Sequence, residues 1–504
     1  MSEPLRAEHP SLQGFLEHSL TADQRRNVLF VSFSQWSFAL AALADTAAAL
    51  HLLGSELSFA FWTAHTPLRD PGWSASRSLA RLTHAPTPDQ NAETALIEFG
   101  IPASAFLDPP VRRWRPSEAI TIDAPMNRTQ IRALTYHGTP MGRAILQVHP
   151  DTETPITDTF FWRRRWVRAA ARSYAWVFDQ TTALIRERGI TAVVVYNGRF
   201  LHDRAVSAAA QAAGIAVLYY DAAGIDTDFD LTDSVTHDWS DLQRRMLGLY
   251  EQWPADTRDV VGGSWFEERL NHTAANNALF VQAQERGSTI ERPDAQCLVV
   301  YFSSSGDEIA ELELDWSSFI GQQPEALRLL AEECRRRPGY TLVVRSHPHM
   351  RMKPEQDLAE WLDAVEQAKP DLHLDPYSKV DSYELMRQAD IVATYGSTTG
   401  VEAAYAGKPV IVMGPSAYDE LGCATFAGTP EELSDALDVH EPGSWAGAVS
   451  YGLMMRRRGF LHENVVRVGT DGFRLGNREF AETRPVVMHA SNLFGRFQRW
   501  YLAR

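Results

Sequence analysis

Two short runs of β-branched residues in this chain each end in a polar turn. The run 341–344 (Thr-Leu-Val-Val) leads into Arg345-Ser-His-Pro-His349, and the run 391–394 (Ile-Val-Ala-Thr) leads into Tyr395-Gly-Ser-Thr-Thr-Gly400. Short apolar runs bounded by turn residues are typical of buried parallel strands. Ligands of open α/β sheets bind beyond the carboxyl ends of the strands. The sequence therefore predicts that an imidazole, a guanidinium and a Gly-Ser-Thr turn meet at one edge of a parallel sheet.

The turn formed by Gly396, Ser397 and Thr398 opens a predicted helix that ends near residue 406. The first backbone N–H groups of a helix have no partner within it, and its dipole is positive at this end, so the position suits a phosphate. We predict that these three residues bind the phosphate of a ligand. Serine and threonine are also good N-caps, so an ordinary cap stays open as the alternative. Glu402 lies one turn further and could accept from a ribose diol or simply complement the helix dipole.

His347 precedes Pro348, which fixes the local backbone and removes a hydrogen-bond donor. A histidine at this place can bind a phosphate, or donate a proton to a leaving phosphate near neutral pH. Arg345 can clamp a phosphate with two parallel hydrogen bonds. Lys379, on a later loop, is a further candidate for contact with the same ligand. A histidine that merely caps a turn is the alternative for His347.

Predicted strands and helices alternate along most of the chain, which is typical of the α/β class and of Rossmann-like domains. We predict an N-terminal domain over residues 1–290, with an irregular insertion at about 64–125. A C-terminal domain covers residues 291–465. A tail follows at 466–504, and its return to the first domain stays open.

Polar residues also follow two predicted strands of the N-terminal domain. Asp221 ends the strand 215–220 and could act as a general base toward a hydroxyl acceptor, although an aspartate that starts a turn is equally expected. Asn197 and Arg199 follow the neighbouring strand 191–196 and are candidates for binding the acceptor.

Composition narrows the classes of partner. The 504 residues carry a net charge of −16, which argues against general nucleic-acid binding. Three widely spaced cysteines form neither a disulfide framework nor a zinc pattern, and residues 1–21 lack the pattern of a signal peptide, so we predict a cytoplasmic protein. Arginines cluster at 163–165, 456–458 and in the last nine residues. Exposed helix faces explain them most simply, and peripheral contact with the anionic inner face of a membrane is the alternative.

The run from Asp381 to Pro409 resembles the nucleotide-binding half of GT-B glycosyltransferases, above all capsule and surface-polysaccharide biosynthesis transferases. Bacterial sialyltransferases, Kdo transferases and CDP-glycerol polymerases share the paired His-Pro and Ser-Ser/Thr elements. The resemblance implies two facing Rossmann-like domains with a cleft between them. The N-terminal one would be the acceptor domain and the C-terminal one the nucleotide-sugar-binding domain. It also implies that His347, Ser397 and Thr398 hold the phosphate of a nucleotide donor, often a CMP-sugar.

The same resemblance implies an acidic base before a glycine in the N-terminal domain. Asp221 and Gly224 match this pattern loosely, because Ala222 and Ala223 stand where a second acidic residue could be. We therefore expect a metal-independent glycosyltransferase that transfers a sugar from a CMP- or UDP-linked donor to a glycan or glycolipid, with no cofactor. A CDP-glycerol-type phosphotransferase, a nucleotide-sugar epimerase and a non-catalytic nucleotide-sugar-binding subunit are the alternatives.

Overall fold

A computed structural model of the protein describes residues 11–34, 36–62, 66, 68, 86–108, 114–147, 161–223, 228–235, 238–274, 283–304, 318–469 and 472–481. The described residues group into two compact units. One contains those of 1–149, 158–236 and 458–504, and the other contains those of 237–457. Among the described helices, none is both long enough and apolar enough to cross a bilayer.

The strands, numbered in chain order, are β1 (Asn27–Ser32), β2 (Glu56–Phe61), β3 (Met126–Asn127), β4 (Phe161–Trp162), β5 (Ala192–Tyr196), β6 (Ala216–Ala222), β7 (Asp228–Thr232), β8 (Cys297–Phe302), β9 (Tyr340–Arg345), β10 (Leu372–Leu374), β11 (Ile391–Thr394), β12 (Val410–Val412), β13 (Thr425–Phe426), β14 (Phe460–Leu461), β15 (Val465–Val468), β16 (Gly472–Leu475) and β17 (Arg478–Ala481).

The α-helices are α1 (Leu12–Ser19), α2 (Ser37–Leu52), α3 (Pro88–Phe99), α4 (Arg128–Arg132), α5 (Met141–Leu146), α6 (Arg164–Arg188), α7 (Leu201–Ala212), α8 (Trp239–Gln252), α9 (Arg258–Leu270), α10 (Gln323–Arg336), α11 (Glu355–Ala368), α12 (Ser382–Gln388), α13 (Thr398–Tyr405), α14 (Pro430–Ala436) and α15 (Trp445–Arg457). Short 3-10 helices lie at Ala103–Ala105 and Pro348–Met352.

The first unit is built on a six-stranded sheet with the order β14-β7-β6-β5-β1-β2. Strands β2, β1, β5 and β6 are parallel, while β7 and β14 join antiparallel at one edge. Side chains alternate between two cores, since Val28 and Phe30 pack on one face and Leu29 and Val31 on the other. Burial on both faces is the reason that these strands are continuously apolar.

The second unit has a six-stranded, fully parallel sheet with the order β10-β9-β8-β11-β12-β13. Alternate residues of β8 again serve two cores, with Val299 and Tyr301 on one face and Leu298 and Val300 on the other. The predicted α/β class with Rossmann-like sheets is therefore confirmed, one sheet in each unit.

The division into units differs from the predicted boundary at residue 290, because α8 and α9 belong to the second unit. Helix α9 lies tightly against α15 through glycines. A Cβ added at Gly262 would lie 2.6 Å from the carbonyl oxygen of Val449, and one at Gly452 would lie 2.3 Å from that of Gly262. Glycine spacing that permits such close helix contact is not visible as apolar periodicity, so the sequence pattern did not reveal this pairing.

Part of the predicted irregular insertion is a regular helix. Helix α3 begins with a capping box at Thr87 and Gln90 and buries Ala92, Ala95 and Leu96 in the first unit's core. Residues 69–85 of the insertion lie outside the described residues. The described part of the predicted tail also belongs to the first unit, where β15, β16 and β17 form an antiparallel sheet.

Asp45 anchors this C-terminal segment. The carboxylate is fully buried in α2 and accepts hydrogen bonds from the backbone N–H groups of Glu463 and Asn464, each at 2.8 Å. It also accepts one from the Asn464 amide at 2.8 Å and contacts the His462 ring at 3.1 Å. One buried side chain thus fixes the start of the three-stranded sheet.

We expect Asp45→Ala to lower the free energy of unfolding by about 3–5 kcal/mol, because a fully buried carboxylate and the hydrogen bonds that it accepts from Glu463 and Asn464 would be lost. Urea denaturation followed by tryptophan fluorescence measures the change. Asp23→Ala, at an exposed aspartate of the same unit, is the control and should change stability by less than about 0.5 kcal/mol. Equal stability of the two variants would contradict an anchoring role.

Candidate functional site

The order of strands in the second sheet defines a topological switch point between β8 and β11. Successive strands run from β8 through β9 to β10 on one side, and from β11 through β12 to β13 on the other. Ligands of doubly wound sheets bind in the crevice that opens at such a point, outside the carboxyl ends of the strands. The turn from Gly396 to Thr398 follows β11 directly and therefore lies at this crevice.

The turn after β11 requires glycine at residue 396. Its φ is +81°, and a Cβ there would lie 1.9 Å from the carbonyl oxygen of Pro415. Ser397 caps α13, since its hydroxyl accepts from the Thr399 N–H at 3.4 Å, while its own N–H donates to Thr394 Oγ1 at 2.9 Å. Thr398 is exposed as the first residue of the helix. The positive end of α13 thus faces the sheet edge.

Ser303, which the sequence analysis missed, joins the central strand to the His-Pro turn. It follows β8, is 1% exposed, and its hydroxyl accepts from the His347 N–H at 2.8 Å. The next residue, Ser304, is held by Gln323 through bonds of 2.7 and 3.1 Å. Three serines and a glycine follow the apolar strand in the sequence, at residues 303–306, and were the available signal.

The imidazole of His347 is oriented by its own turn. Its Nδ1 accepts a hydrogen bond from the His349 N–H at 3.1 Å, which places the proton of a neutral ring on Nε2. The residue is half-buried at the N-terminus of the 3-10 helix Pro348–Met352. His347 therefore caps its own turn, which was the alternative prediction. In this arrangement Nε2 is the ring nitrogen that carries the proton.

The register brings the two predicted elements to the same level. Arg345 at the end of β9 and Thr394 at the end of β11 both pair with Phe302 of β8. One strand lies between them, so the two strand ends are about 10 Å apart. The ends of β9 and β11 therefore lie on either side of the end of β8, which Ser303 follows.

Two predicted donor-binding side chains have other partners in this structure. The Arg345 guanidinium is 1% exposed and donates to the carbonyl oxygens of Asp375 and Ser378 at 2.8 and 3.1 Å. Burial lowers the pKa of Arg345 to about 10. It fixes the loop after β10 and has no surface to offer a phosphate. Lys379 is exposed and forms an ion pair of 2.9 Å with Glu285.

Glu402 also departs from its predicted role toward a ribose. Its carboxylate is 5% exposed and lies 3.6 Å from Arg269 of α9. Burial raises the pKa of Glu402 to about 7 against the opposing effect of Arg269. A carboxylate enclosed in this way cannot accept from a ligand unless α9 is displaced, so the structure assigns it to the packing of α13 on α9.

We expect Gly396→Ala to reduce stability by more than about 4 kcal/mol and to abolish ligand binding at the crevice, because its methyl group would overlap Pro415. Gly407→Ala is a matched control. Gly407 has a φ of +76° but no atom within 4 Å of an added Cβ, so only the backbone cost of about 1–2 kcal/mol applies. Chemical denaturation of both variants measures the difference, and equal losses would show that the close approach to Pro415 has no effect.

The buried carboxyl group of Glu402 should make stability depend on pH. Its pKa is higher in the folded chain than in the unfolded chain, so its favourable contribution is complete below the unfolded pKa and is lost as pH rises through about 7. Relative to Glu402→Gln, the native protein should lose about 3 kcal/mol between about pH 4.5 and pH 8. Denaturation across this range tests the difference, with exposed Glu366→Gln as the control. Parallel curves for the native protein and Glu402→Gln would contradict the shift.

The first unit brings Asn197 and Asp221 together at the carboxyl ends of β5 and β6. Tyr196 and Tyr220 pair in register, and the Asn197 amide donates to the Asp221 carboxylate. Asn197 has a φ of +52°, a conformation that asparagine tolerates better than most residues, and it turns the chain directly after β5. Asn197, predicted to bind the acceptor, and Asp221, predicted as the base, are therefore in contact.

Burial raises the pKa of Asp221, partly offset by hydrogen bonds from the Ala222 N–H, Tyr196 and Asn197. Asp203, near the start of α7, went unnoticed in the sequence. Burial raises the pKa of Asp203 well above its usual value, and the charge of Asp221 adds to this effect. A carboxylate whose pKa is raised by burial is a stronger base, once ionised, than an ordinary aspartate. Arg199, the other predicted contact, lies with its guanidinium 5.2 Å from the Phe200 ring centroid.

Comparison with known proteins supports the class that these sheets indicate. Residues 314–433 match the family model described as capsule polysaccharide biosynthesis protein. This segment contains β9, β11 and the start of α13, and therefore His347, Ser397 and Thr398. The resemblance to surface-polysaccharide biosynthesis proteins is confirmed over this segment. No curated protein matches the chain.

Solved structures of GT-B enzymes are among the matches. The Thermosulfurimonas dismutans KpsC β-Kdo 2,7 transferase shares 16% identity over 51% of this chain and 79% of its own, with a TM-score of 0.31. Its β-Kdo 2,4 transferase shares 14% over 53% and 88%, with a TM-score of 0.32. The UDP-GlcNAc 2-epimerase from Neisseria meningitidis shares 13% over 82% and 90%, with a TM-score of 0.24.

Proposed function

We propose that this chain is a metal-independent GT-B glycosyltransferase of capsule or surface-polysaccharide synthesis. It would move a sugar from a CMP- or UDP-linked donor to a glycan or glycolipid acceptor. One observation carries the proposal, namely that Ser303, the His347 turn and the Gly396–Thr398 turn follow three neighbouring strands, β8, β9 and β11, at the switch point of a parallel sheet. The family match over residues 314–433 and the titles of the matched transferases support the same reaction class.

Donor chemistry requires stabilisation of a leaving phosphate. The positive end of α13 and the hydroxyls of Ser397 and Thr398 would hold its oxygens. His347 would donate the Nε2 proton as negative charge develops on the phosphate. These groups stabilise the charge without a bound cation, which is why we propose a metal-independent reaction.

Acceptor chemistry requires a base that removes a proton from a hydroxyl group. Asp221 of the first unit is the candidate, since Asn197 orients its carboxylate and burial raises its pKa. Its ionised form would act above that raised pKa, so the acidic limb of the rate profile would lie higher than for an ordinary aspartate. Asn197 and Arg199 would bind the acceptor beside it.

The proposal predicts that one nucleotide class raises the thermal midpoint of the protein. Binding to the native state alone stabilises it by about 2.7 kcal/mol at a ligand concentration of 100 times Kd. A panel of CMP, CDP, UDP, GDP and their sugars identifies the class.

The His347→Ala variant should retain the increase in thermal midpoint with that nucleotide but lose about 100- to 10,000-fold in kcat. His440→Ala, at an exposed histidine of the same unit, is the control.

The alternatives give different results in the same panel. Transfer from CDP-glycerol, or interconversion of a UDP-sugar without an acceptor, would replace the proposed reaction by a phosphotransferase or an epimerase. A nucleotide that raises the thermal midpoint equally in the native protein and in Asp221→Asn, with no turnover in either, would indicate a non-catalytic binding subunit. No shift with any nucleotide would contradict the donor site itself.

A further inference from the structure

A basic cleft lies in the first unit, on the N-terminal half of α6. It has a volume of about 420 Å³, and its lining includes Arg115, Arg168 and Arg172 together with Glu118 and Ile120. This volume is within the range of small-ligand sites, about 300–1,000 Å³. We name it the arginine cleft. None of its residues belongs to the sites described above.

Within the part of the chain that the structure describes, no ion pair involves any of the three arginines of the cleft. Glu118, the acidic residue of the cleft, contacts His137 at 3.6 Å. Arg168 and Arg172 are four residues apart and exposed on one face of α6, about 6 Å apart along the helix axis. The Arg172 guanidinium is 5.8 Å from the Trp114 ring centroid, which restricts it.

The charge at this end of α6 opposes the helix dipole. Residues 163–165 are all arginine, and the first turn holds no acidic residue. Cations at a helix N-terminus are unfavourable, so the sequence maintains a positive potential at a cost in stability. Arginines at a helix N-terminus, in a protein whose net charge is −16, are expected where the site binds an anion.

The wall that carries Arg115 is held in place by a single carboxylate of the same helix. Asp179 accepts from the Trp114 indole at 3.0 Å, from the Ser117 hydroxyl at 2.6 Å and from the Tyr136 hydroxyl at 2.9 Å. These bonds fix the chain on both sides of Arg115. The cleft therefore has a rigid wall opposite α6, which is the preorganisation that favours a discrete ligand.

We propose that the arginine cleft binds a glycan whose sugar residues carry carboxylate or phosphate groups. Guanidinium groups bind both oxyanions with paired hydrogen bonds, and Ile120 with its apolar neighbours offers a surface for a sugar ring. A concave site with two walls fits a glycan chain better than the plane of a bilayer. Binding of an acidic glycan to this cleft does not depend on the proposed function. Only the further idea that the bound glycan is the acceptor rests on the proposed glycosyltransferase activity.

Direct binding tests the cleft without any turnover. Isothermal titration would compare an oligogalacturonate, which has one carboxylate on each sugar, with a neutral galactose oligomer of equal length. We expect the acidic oligomer to bind at low salt, weakening as salt rises, and the neutral one to bind far more weakly. Arg168→Gln combined with Arg172→Gln should reduce the affinity by about tenfold for each arginine removed.

Arg186→Gln combined with Arg188→Gln removes the same charge from exposed positions of the same helix and is the matched control. Equal affinity of the two double variants would overturn the proposal, as would equal binding of the acidic and neutral oligomers. Binding only to vesicles of phosphatidylcholine and phosphatidylglycerol, with none to the oligomer, would overturn it in favour of a membrane. Thermal midpoints of both variants show that they are folded. A nucleotide-induced shift that persists in both would separate this site from the donor site.

Discussion

The close approach of residue 396 to Pro415 is the constraint on which the second unit's crevice depends. With φ at +81° and no room for a Cβ, the chain can turn from β11 into α13 within three residues. This turn points the positive end of α13 to the sheet edge and leaves Thr398 exposed there. Any longer connection would move the helix away from the space beside Ser303. A backbone contact, rather than a side-chain charge, therefore sets the site's geometry.

Charged side chains contribute less to this crevice than the sequence predicted. Arg345 and Glu402 are both buried and bind protein groups, the carbonyl oxygens after β10 in one case and Arg269 in the other. Burying an ion costs several kcal/mol unless it is fully paired, so such residues in a sheet's core serve packing before they serve a ligand. What remains for a phosphate is the helix dipole, hydroxyl groups and one imidazole.

Strands, helices and their α/β order were predictable because both sheets are buried on two faces, which makes strands such as β8 and β11 continuously apolar. The position of the Gly-Ser-Thr turn and of His347 at the same edge of the sheet was predictable, because the carboxyl ends of parallel strands lie at one edge. The partner of the Arg345 side chain was not predictable. Alternation along β9 determines on which face of the sheet the side chain lies, but not which group it contacts there. Asp203 and Ser303 were missed because an acidic residue in a first helical turn and a serine after a strand have common structural uses.

The two proposed anion sites would act by different physics, and this difference bears on their proposed roles. At the end of α13, a phosphate would be held by fixed dipoles that act over about one turn and are little screened when water is excluded. The arginine cleft has exposed, fully charged guanidinium groups, whose attraction reaches further and falls with salt. Fixed dipoles suit one phosphate whose charge changes during a reaction, because they need no rearrangement as the charge develops. Arginines spaced along α6 suit repeated charges that stay constant, such as those of a growing acidic glycan.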